Sequence, residues 1–180
     1  MSTFTNPSIP IVEDEGWASF FENGWLRHLD ETGEADWDLY SGPRNNTPVP
    51  GKAIDLSQSR LMLITTSGAY LPGTQKPFDA ANLYGDPSLR LIPASAPLGD
   101  LAFAHEHYDH AYVDADPQVL VPLEHLHAMV SEGIIGSLAP TMVSFSGYQP
   151  DVRKVVKEIS PAILEVAKAE KAHAALLVPA

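Results

Sequence analysis

Residues 103–116 concentrate side chains that could do chemistry. Three of the seven histidines, His105, His107 and His110, lie in this stretch together with four acidic residues. Imidazole and carboxylate groups can ligate metal ions, transfer protons or bind polar substrates. The apolar residues 101–104 before them predict a buried strand that leads into a loop. We therefore expect the functional site in this histidine loop, defined as residues 103–116.

One hypothesis for this loop is a metal site. The spacing His105-x-His107-x-Asp109-His110 matches the H-x-H-x-D-H pattern of metallo-β-lactamase-fold hydrolases. Histidines two apart on extended backbone share a face, and the Asp and His that follow could hold a second ion. The pattern predicts a divalent metal ion, zinc or iron, bound by these four residues. However, His173 is the only histidine after residue 127, and a loop whose histidines only hydrogen-bond to backbone is the alternative.

Composition excludes several classes of protein. Eleven Lys and Arg against 23 Asp and Glu give a net charge of −12, which repels nucleic acid and anionic membrane surfaces. No apolar run reaches the roughly 20 residues of a membrane span, and the N-terminus lacks the features of a signal peptide, so we expect a cytoplasmic protein. The absence of cysteine excludes disulfides and a cysteine nucleophile within these residues. No P-loop or dinucleotide motif occurs, which predicts no nucleotide cofactor.

Alternating strand and helix patterns predict the elements that position the histidine loop. Apolar runs predict strands at 59–67, 101–104, 141–145 and 174–180, the first and last buried, and apolar stripes predict helices at 122–133 and 151–171. Before them, an amphipathic helix begins at Asp14 and carries Trp17, Phe20, Phe21, Trp25 and Leu29 on one stripe.

This order of elements predicts an α/β fold with an open, mostly parallel sheet flanked by helices, flavodoxin-like or Rossmann-like. We expect an irregular N-terminal arm with one amphipathic helix over residues 1–56 and the α/β domain over residues 57–180. Because ligands in such sheets bind beyond the carboxyl ends of the strands, the loops after Ser67 and Ala104 are expected at the site.

A series of short motifs runs in order from about Ser57 to the last residue. The motifs are Thr65-Thr66-Ser67-Gly68, Pro77-Phe78, Gly85-Asp86, Arg90, Ile92-Pro93, His105, Tyr108-Asp109, Ala111, Val113, Asp116, Pro122, Leu126, Glu132-Gly133, Ile135-Gly136 and Gly147. Together they resemble the selenoprotein B family of glycine, sarcosine, betaine and D-proline reductases.

The resemblance implies reductive cleavage of a carbon–nitrogen bond in a small amino-acid substrate. In the family, a cysteine or selenocysteine attacks a bond that a pyruvoyl-bearing partner subunit activates, and a thiol system resets it. The resemblance places His105, Tyr108 and Asp109 in the active-site loop as catalytic residues, and Asp86 with Arg90 in a substrate-binding loop. By their chemistry, His105 is the natural proton donor and Arg90 the natural carboxylate partner. We expect a small-molecule substrate, and either a homo-oligomer or a partner reductase subunit.

The chain also departs from the family pattern. Glu106 and His107 stand where many members have a pair of glycines, and His125 where they have an arginine; these changes favour a metal. In the family, the strand at 174–179 leads into the redox residue, whereas here Ala180 is last. We therefore expect truncation at a selenocysteine codon. The hypotheses are a reductase subunit lacking its redox cysteine or selenocysteine, a metal-dependent, hydrolase-like enzyme, and a non-catalytic subunit of a reductase complex.

Overall fold

The computed structural model describes residues 15–43 and 53–180. The predicted N-terminal arm falls partly on residues 1–14 and 44–52, which lie outside the described residues. The predicted boundary after residue 56 stays a prediction. No helix in the described ranges combines the length and the apolar character that crossing a membrane requires.

The N-terminal amphipathic helix is confirmed as one continuous helix. It consists of α1 (Glu15–Phe21), a π-helical turn (Glu22–Leu26) and α2 (Arg27–Thr32). Four apolar residues spaced four apart form its buried face: Trp17, Phe21, Trp25 and Leu29. The helix ends at Gly33, whose φ of 75° provides a left-handed cap. A 3-10 turn (Trp37–Leu39) follows.

The remaining described residues form the strands and helices of the predicted α/β domain. The strands are β1 (Arg60–Thr65), β2 (Ala69–Tyr70), β3 (Arg90–Pro93), β4 (Ala102–Phe103), β5 (Ser137–Leu138), β6 (Thr141–Ser144) and β7 (Ala174–Val178). The later helices are α3 (Ala111–Ala115), α4 (Leu123–Ser131), α5 (Val152–Lys154) and α6 (Ser160–Ala169), with a π-helical turn (Val155–Ile159) joining the last two.

The main sheet is mostly parallel and centred on β1. β5 and β6 lie along one side of β1 and β7 along the other, because Leu61 pairs with both Leu138 and Ala174. β3 extends the sheet beyond β6 as an antiparallel strand. Alternate residues of β1 face opposite layers, so Leu61 packs with residues of α4 on one face and Met62 with residues of α6 on the other. The predicted α/β fold, with a mostly parallel open sheet flanked by helices, is therefore confirmed.

Three details differ from the sequence predictions. The strand expected at 101–104 is only β4, which pairs antiparallel with β2 in a separate two-stranded sheet. β3 was not predicted, because its residues lie in a stretch rich in proline and glycine. β7 was predicted to be buried, but Leu177 is 68% exposed, because β7 pairs only with β1 among the described residues.

Candidate functional site at the carboxyl edge of the sheet

Gly68 joins the histidine loop to the end of β1. Its φ is +70°, and a Cβ added there would lie 2.4 Å from the carbonyl oxygen of Ala104, so only glycine fits. Gly68 accepts a hydrogen bond from the backbone nitrogen of Ala104 at 3.0 Å and donates one to the carbonyl of Phe145 at 3.1 Å. The loop is thereby held against the carboxyl ends of β1 and β6.

His105 is the buried member of this loop, with 7% of its surface exposed. Its Nδ1 accepts a hydrogen bond from the backbone N–H of His107 at 3.1 Å, so the proton of the neutral ring lies on Nε2. Burial, reinforced by nearby His107 and His110, lowers the pKa of His105 from 6.5 to about 4. At neutral pH, His105 is therefore an uncharged hydrogen-bond donor rather than a source of protons.

Aromatic contacts fix the other rings of the loop. Tyr108 lies against His105 at a centroid distance of 4.8 Å and stacks on His110 at 4.7 Å. The Tyr108 hydroxyl donates to the carbonyl of Ser67 at 2.9 Å, and burial raises its pKa to about 12. Tyr108 therefore stays protonated. The exposed His107 stacks on Tyr148, 4.0 Å between centroids and 9° between planes.

Four buried polar atoms at this edge have no hydrogen-bond partner among the described residues. They are His105 Nε2, Ser67 Oγ, Ser144 Oγ and Gln149 Oε1, and we call these four residues the buried polar cluster. Native proteins leave few buried polar atoms unpaired, since each costs about 1–3 kcal/mol. Ordered water or a polar ligand would satisfy the cluster.

Strand pairing brings the cluster together from distant parts of the chain. Ser144 is in register with Thr65, two residues before Ser67, and Ser67 forms a bridge with Ser146. Gln149 Nε2 donates to the carbonyl of Ser146 at 3.1 Å, and the Cβ of His105 lies 3.4 Å from the position a Cβ on Gly68 would take. The cluster thus surrounds the carboxyl ends of β1 and β6, where α/β sheets bind ligands.

Asp109 and Asp86, both predicted site residues, stabilise turns. Asp109 accepts a hydrogen bond from the backbone of Ala111 at 2.9 Å, at the start of α3. The Asp86 carboxylate accepts hydrogen bonds from the backbone of Asp79 and of Ser88, each at 2.9 Å. Desolvation opposes ionisation of Asp86, but hydrogen bonds from Ser88 and Asp79 outweigh it and lower its pKa. Only the Asp86 backbone reaches the cluster, since its carbonyl accepts from Gln149 Nε2 at 2.6 Å.

Arg90 lies beside the cluster but is engaged with its own loop. Its Cα pairs with that of Ser144, and its guanidinium donates to the carbonyls of Lys76 at 2.8 Å and Pro77 at 3.2 Å. It also lies 4.1 Å over the ring of Phe78. Its predicted role as a carboxylate partner, like the catalytic role of Asp109, stays a prediction.

The predicted metal ligands do not converge. Among the described residues, no three His, Asp or Glu side chains are grouped to hold an ion. His107 stacks on Tyr148, Asp109 accepts a hydrogen bond from the backbone of Ala111, and His110 Nε2 lies 2.6 Å from the carbonyl oxygen of His105. This arrangement does not fit the predicted zinc or iron site, which gains no support from the structure.

Sequence reasoning missed three members of the cluster. Ser67 was recognised only as part of a motif, while Ser144 and Gln149 were not singled out. Serine and glutamine near strand ends are ordinary, and only the register of β1 with β6 shows that they meet. Tyr148 was missed for the same reason.

Comparisons with known proteins show the family of the chain. The family described as glycine/sarcosine/betaine reductase selenoprotein B matches residues 40–179. The D-proline reductase subunit gamma of Acetoanaerobium sticklandii is 31% identical over 131 residues, which are 73% of this chain and 51% of that protein. The chain thus spans about half the length of this curated relative. No solved structure matches the chain. The chain belongs to the selenoprotein B family of glycine, sarcosine and betaine reductases.

Proposed function

We propose that this chain is a reductase-complex subunit that binds a small amino-acid-like substrate whose carbon–nitrogen bond is cleaved reductively. Family membership supports the reaction class, and the curated relative described above is itself a subunit of D-proline reductase. The observation that carries the proposal is the buried polar cluster, because it provides unpaired donors and an acceptor at the ligand-binding edge of the sheet.

The proposed reaction adds two electrons and two protons across the carbon–nitrogen bond, which leaves a C–H bond and a free amine. The electrons come from a thiol or selenol pair, which is oxidised to a disulfide or selenosulfide. These 180 residues contain no cysteine. The thiol or selenol of the proposed reaction therefore lies outside them.

The cluster residues bind and orient the substrate in this proposal. His105 Nε2–H and the hydroxyls of Ser67 and Ser144 donate hydrogen bonds to substrate oxygen atoms, while Gln149 Oε1 accepts one from a substrate N–H. Such fixed, desolvated groups bind a polar ligand more strongly than exposed ones do. Tyr108, whose hydroxyl donates to the carbonyl of Ser67, holds the loop against this site.

Calorimetric titration tests the binding half of the proposal. Glycine, sarcosine, betaine and D-proline are titrated into the wild-type chain and into two serine variants. Ser144→Ala removes one cluster donor and should weaken binding about tenfold, as expected for one hydrogen bond of ~1.4 kcal/mol. Ser131→Ala, on the exposed surface of α4, is the matched control. Binding of none of the four compounds, or equal binding by Ser144→Ala, would contradict the proposal.

A turnover assay separates a catalytic from a non-catalytic subunit. The chain is combined with partner reductase subunits and a dithiol, and release of the free amine is measured. Omitting the chain should abolish amine release if it acts in catalysis. Binding without any dependence of turnover on the chain supports the non-catalytic subunit.

A further inference from the structure

The N-terminal helix lies outside the family match yet packs beside the site. The family match begins at residue 40, whereas the helix and its following turn occupy Glu15–Thr32 and Trp37–Leu39. The buried face of the helix packs against Tyr40, Leu83 and Val152. This part of the chain therefore precedes the residues that the family matches and contacts them directly.

Polar contacts hold the helix against the segments next to the cluster. Asp30 accepts a hydrogen bond from the Tyr84 hydroxyl at 2.8 Å, and Glu22 forms an ion pair with Arg153. Tyr40 donates from its hydroxyl to the carbonyl of Pro150 at 3.1 Å. These contacts fix the helix to residues 148–153, which follow β6 and include Gln149 of the cluster.

A chain of ring contacts continues from this helix unit to His105. Trp37 presents an edge contact to Tyr148, with 5.9 Å between centroids and 78° between planes. Tyr148 stacks on His107 at 4.0 Å, and the backbone N–H of His107 donates to His105 Nδ1 at 3.1 Å. The Tyr148 hydroxyl is held at its far end by the carbonyl of Leu83 at 2.9 Å. One side chain, that of Tyr148, thus separates Trp37 from the ring of His107, whose backbone N–H bonds to His105.

We propose that Trp37 is a positioning residue for His105, acting through Tyr148 and His107. Trp37 is 50% exposed and contacts Trp25 and Tyr40, with 5.5 Å between ring centroids in each pair. Its T-shaped contact with Tyr148 restrains the ring on which His107 stacks. With that ring fixed, the His107 N–H stays on His105 Nδ1 and keeps the His105 proton on Nε2, aimed at the ligand. The inference rests on the proposed function for the use of that N–H, but the geometry it predicts can be measured without any substrate.

Nuclear magnetic resonance of the histidine side chains tests this inference on the wild-type chain and four variants. In the wild type, the Tyr148 ring should shift the His107 ring protons upfield, and His105 nitrogen shifts should report the Nε2–H form. Trp37→Ala should move the His107 protons toward random-coil values and His105 toward a mixture of tautomers. Trp37→Phe, which keeps an aromatic edge, should restore both signals.

Phe20→Ala is the matched control, because Phe20 lies on the N-terminal helix, has the same 50% exposure as Trp37 and is not part of the ring chain. It should leave both histidine signals unchanged. Unchanged signals in Trp37→Ala, or an equal change in Phe20→Ala, would overturn the inference. If Trp37→Ala unfolds the helix, Trp37→Leu is the deciding variant, because leucine keeps apolar bulk without an aromatic ring. Wild-type histidine signals in Trp37→Leu would refute the role of Trp37.

Failure of this inference is distinguishable from failure of the proposed function. Unchanged histidine signals combined with amino-acid binding would remove only the role of Trp37. Altered signals without binding of any of the four compounds would remove the substrate proposal and leave the positioning role.

Discussion

Protonation of His105 should destabilise the folded protein at acidic pH. The pKa of His105 is lowered from 6.5 to about 4, and this difference corresponds to about 3 kcal/mol at ~1.36 kcal/mol per pKa unit. The folded-state value is the lower one, so the unfolded chain binds the proton first. The stabilisation is therefore complete above about pH 6.5 and is lost progressively as the pH falls toward 4.

Urea unfolding between about pH 7.5 and pH 4 measures this loss, with His105→Asn as the comparison. Asparagine does not titrate, and its carbonyl can accept the hydrogen bond that the His107 N–H donates. The wild type should lose about 3 kcal/mol more unfolding free energy than the variant across this range. His107, His110 and Tyr108 face His105 and are present in both proteins, so their own titration largely cancels in the difference.

An exposed histidine provides the second comparison. His125→Asn removes a titratable group on the outer face of α4 and should preserve the wild-type dependence on pH. Equal pH dependence of the wild type and His105→Asn would refute the reasoning, because it would mean that His105 is protonated in the folded state as easily as in the unfolded chain.

Two further substitutions probe how the site is held. Gly68→Ala should destabilise the protein by more than 2 kcal/mol in urea unfolding, since it adds a backbone clash with Ala104 to the ~1–2 kcal/mol cost of positive φ. Gly73 has φ +82°, and a Cβ added there would have no atom within 4 Å. Gly73→Ala should therefore cost only the ~1–2 kcal/mol of the positive φ, and equal losses of unfolding free energy in the two variants would disprove the clash. Arg90→Lys should cost about 1–2 kcal/mol through lost bonds to loop carbonyls; an unchanged midpoint would show that these bonds contribute nothing.

The parts of the fold that the sequence predicts correctly are those with a strong local pattern. β1 and β6 have nearly continuous burial, and α4 carries its apolar residues on one stripe. β3 has no such pattern, because Leu91 is 45% exposed while Ile92 is buried, and its pairing with β6 depends on tertiary contacts. The apolar run at 101–104 suggests a core strand, but its residues are only half-buried.

The same limit applies to the site. Residue types identify the histidine loop, yet they do not show which histidine is buried. Ser67 and Ser144 are far apart in sequence, and they lie at the same edge of the sheet because β1 and β6 run parallel with Ser144 in register with Thr65. The chemistry of its guanidinium made Arg90 the natural carboxylate partner, whereas in the structure this group donates to loop carbonyls.

The burial of His105 changes what the proposed reaction requires of this chain. The sequence suggested His105 as a proton donor, but a ring with a pKa of about 4 is neutral at physiological pH, and burial raises the pKa of Tyr108 to about 12. Neither side chain is matched to proton transfer near pH 7. Oxidation of a thiol or selenol pair to a disulfide or selenosulfide releases two protons together with two electrons, which is what reductive cleavage consumes. In the proposed reaction, the reductant can therefore supply the protons as well, and the residues described here need only bind the substrate and exclude water.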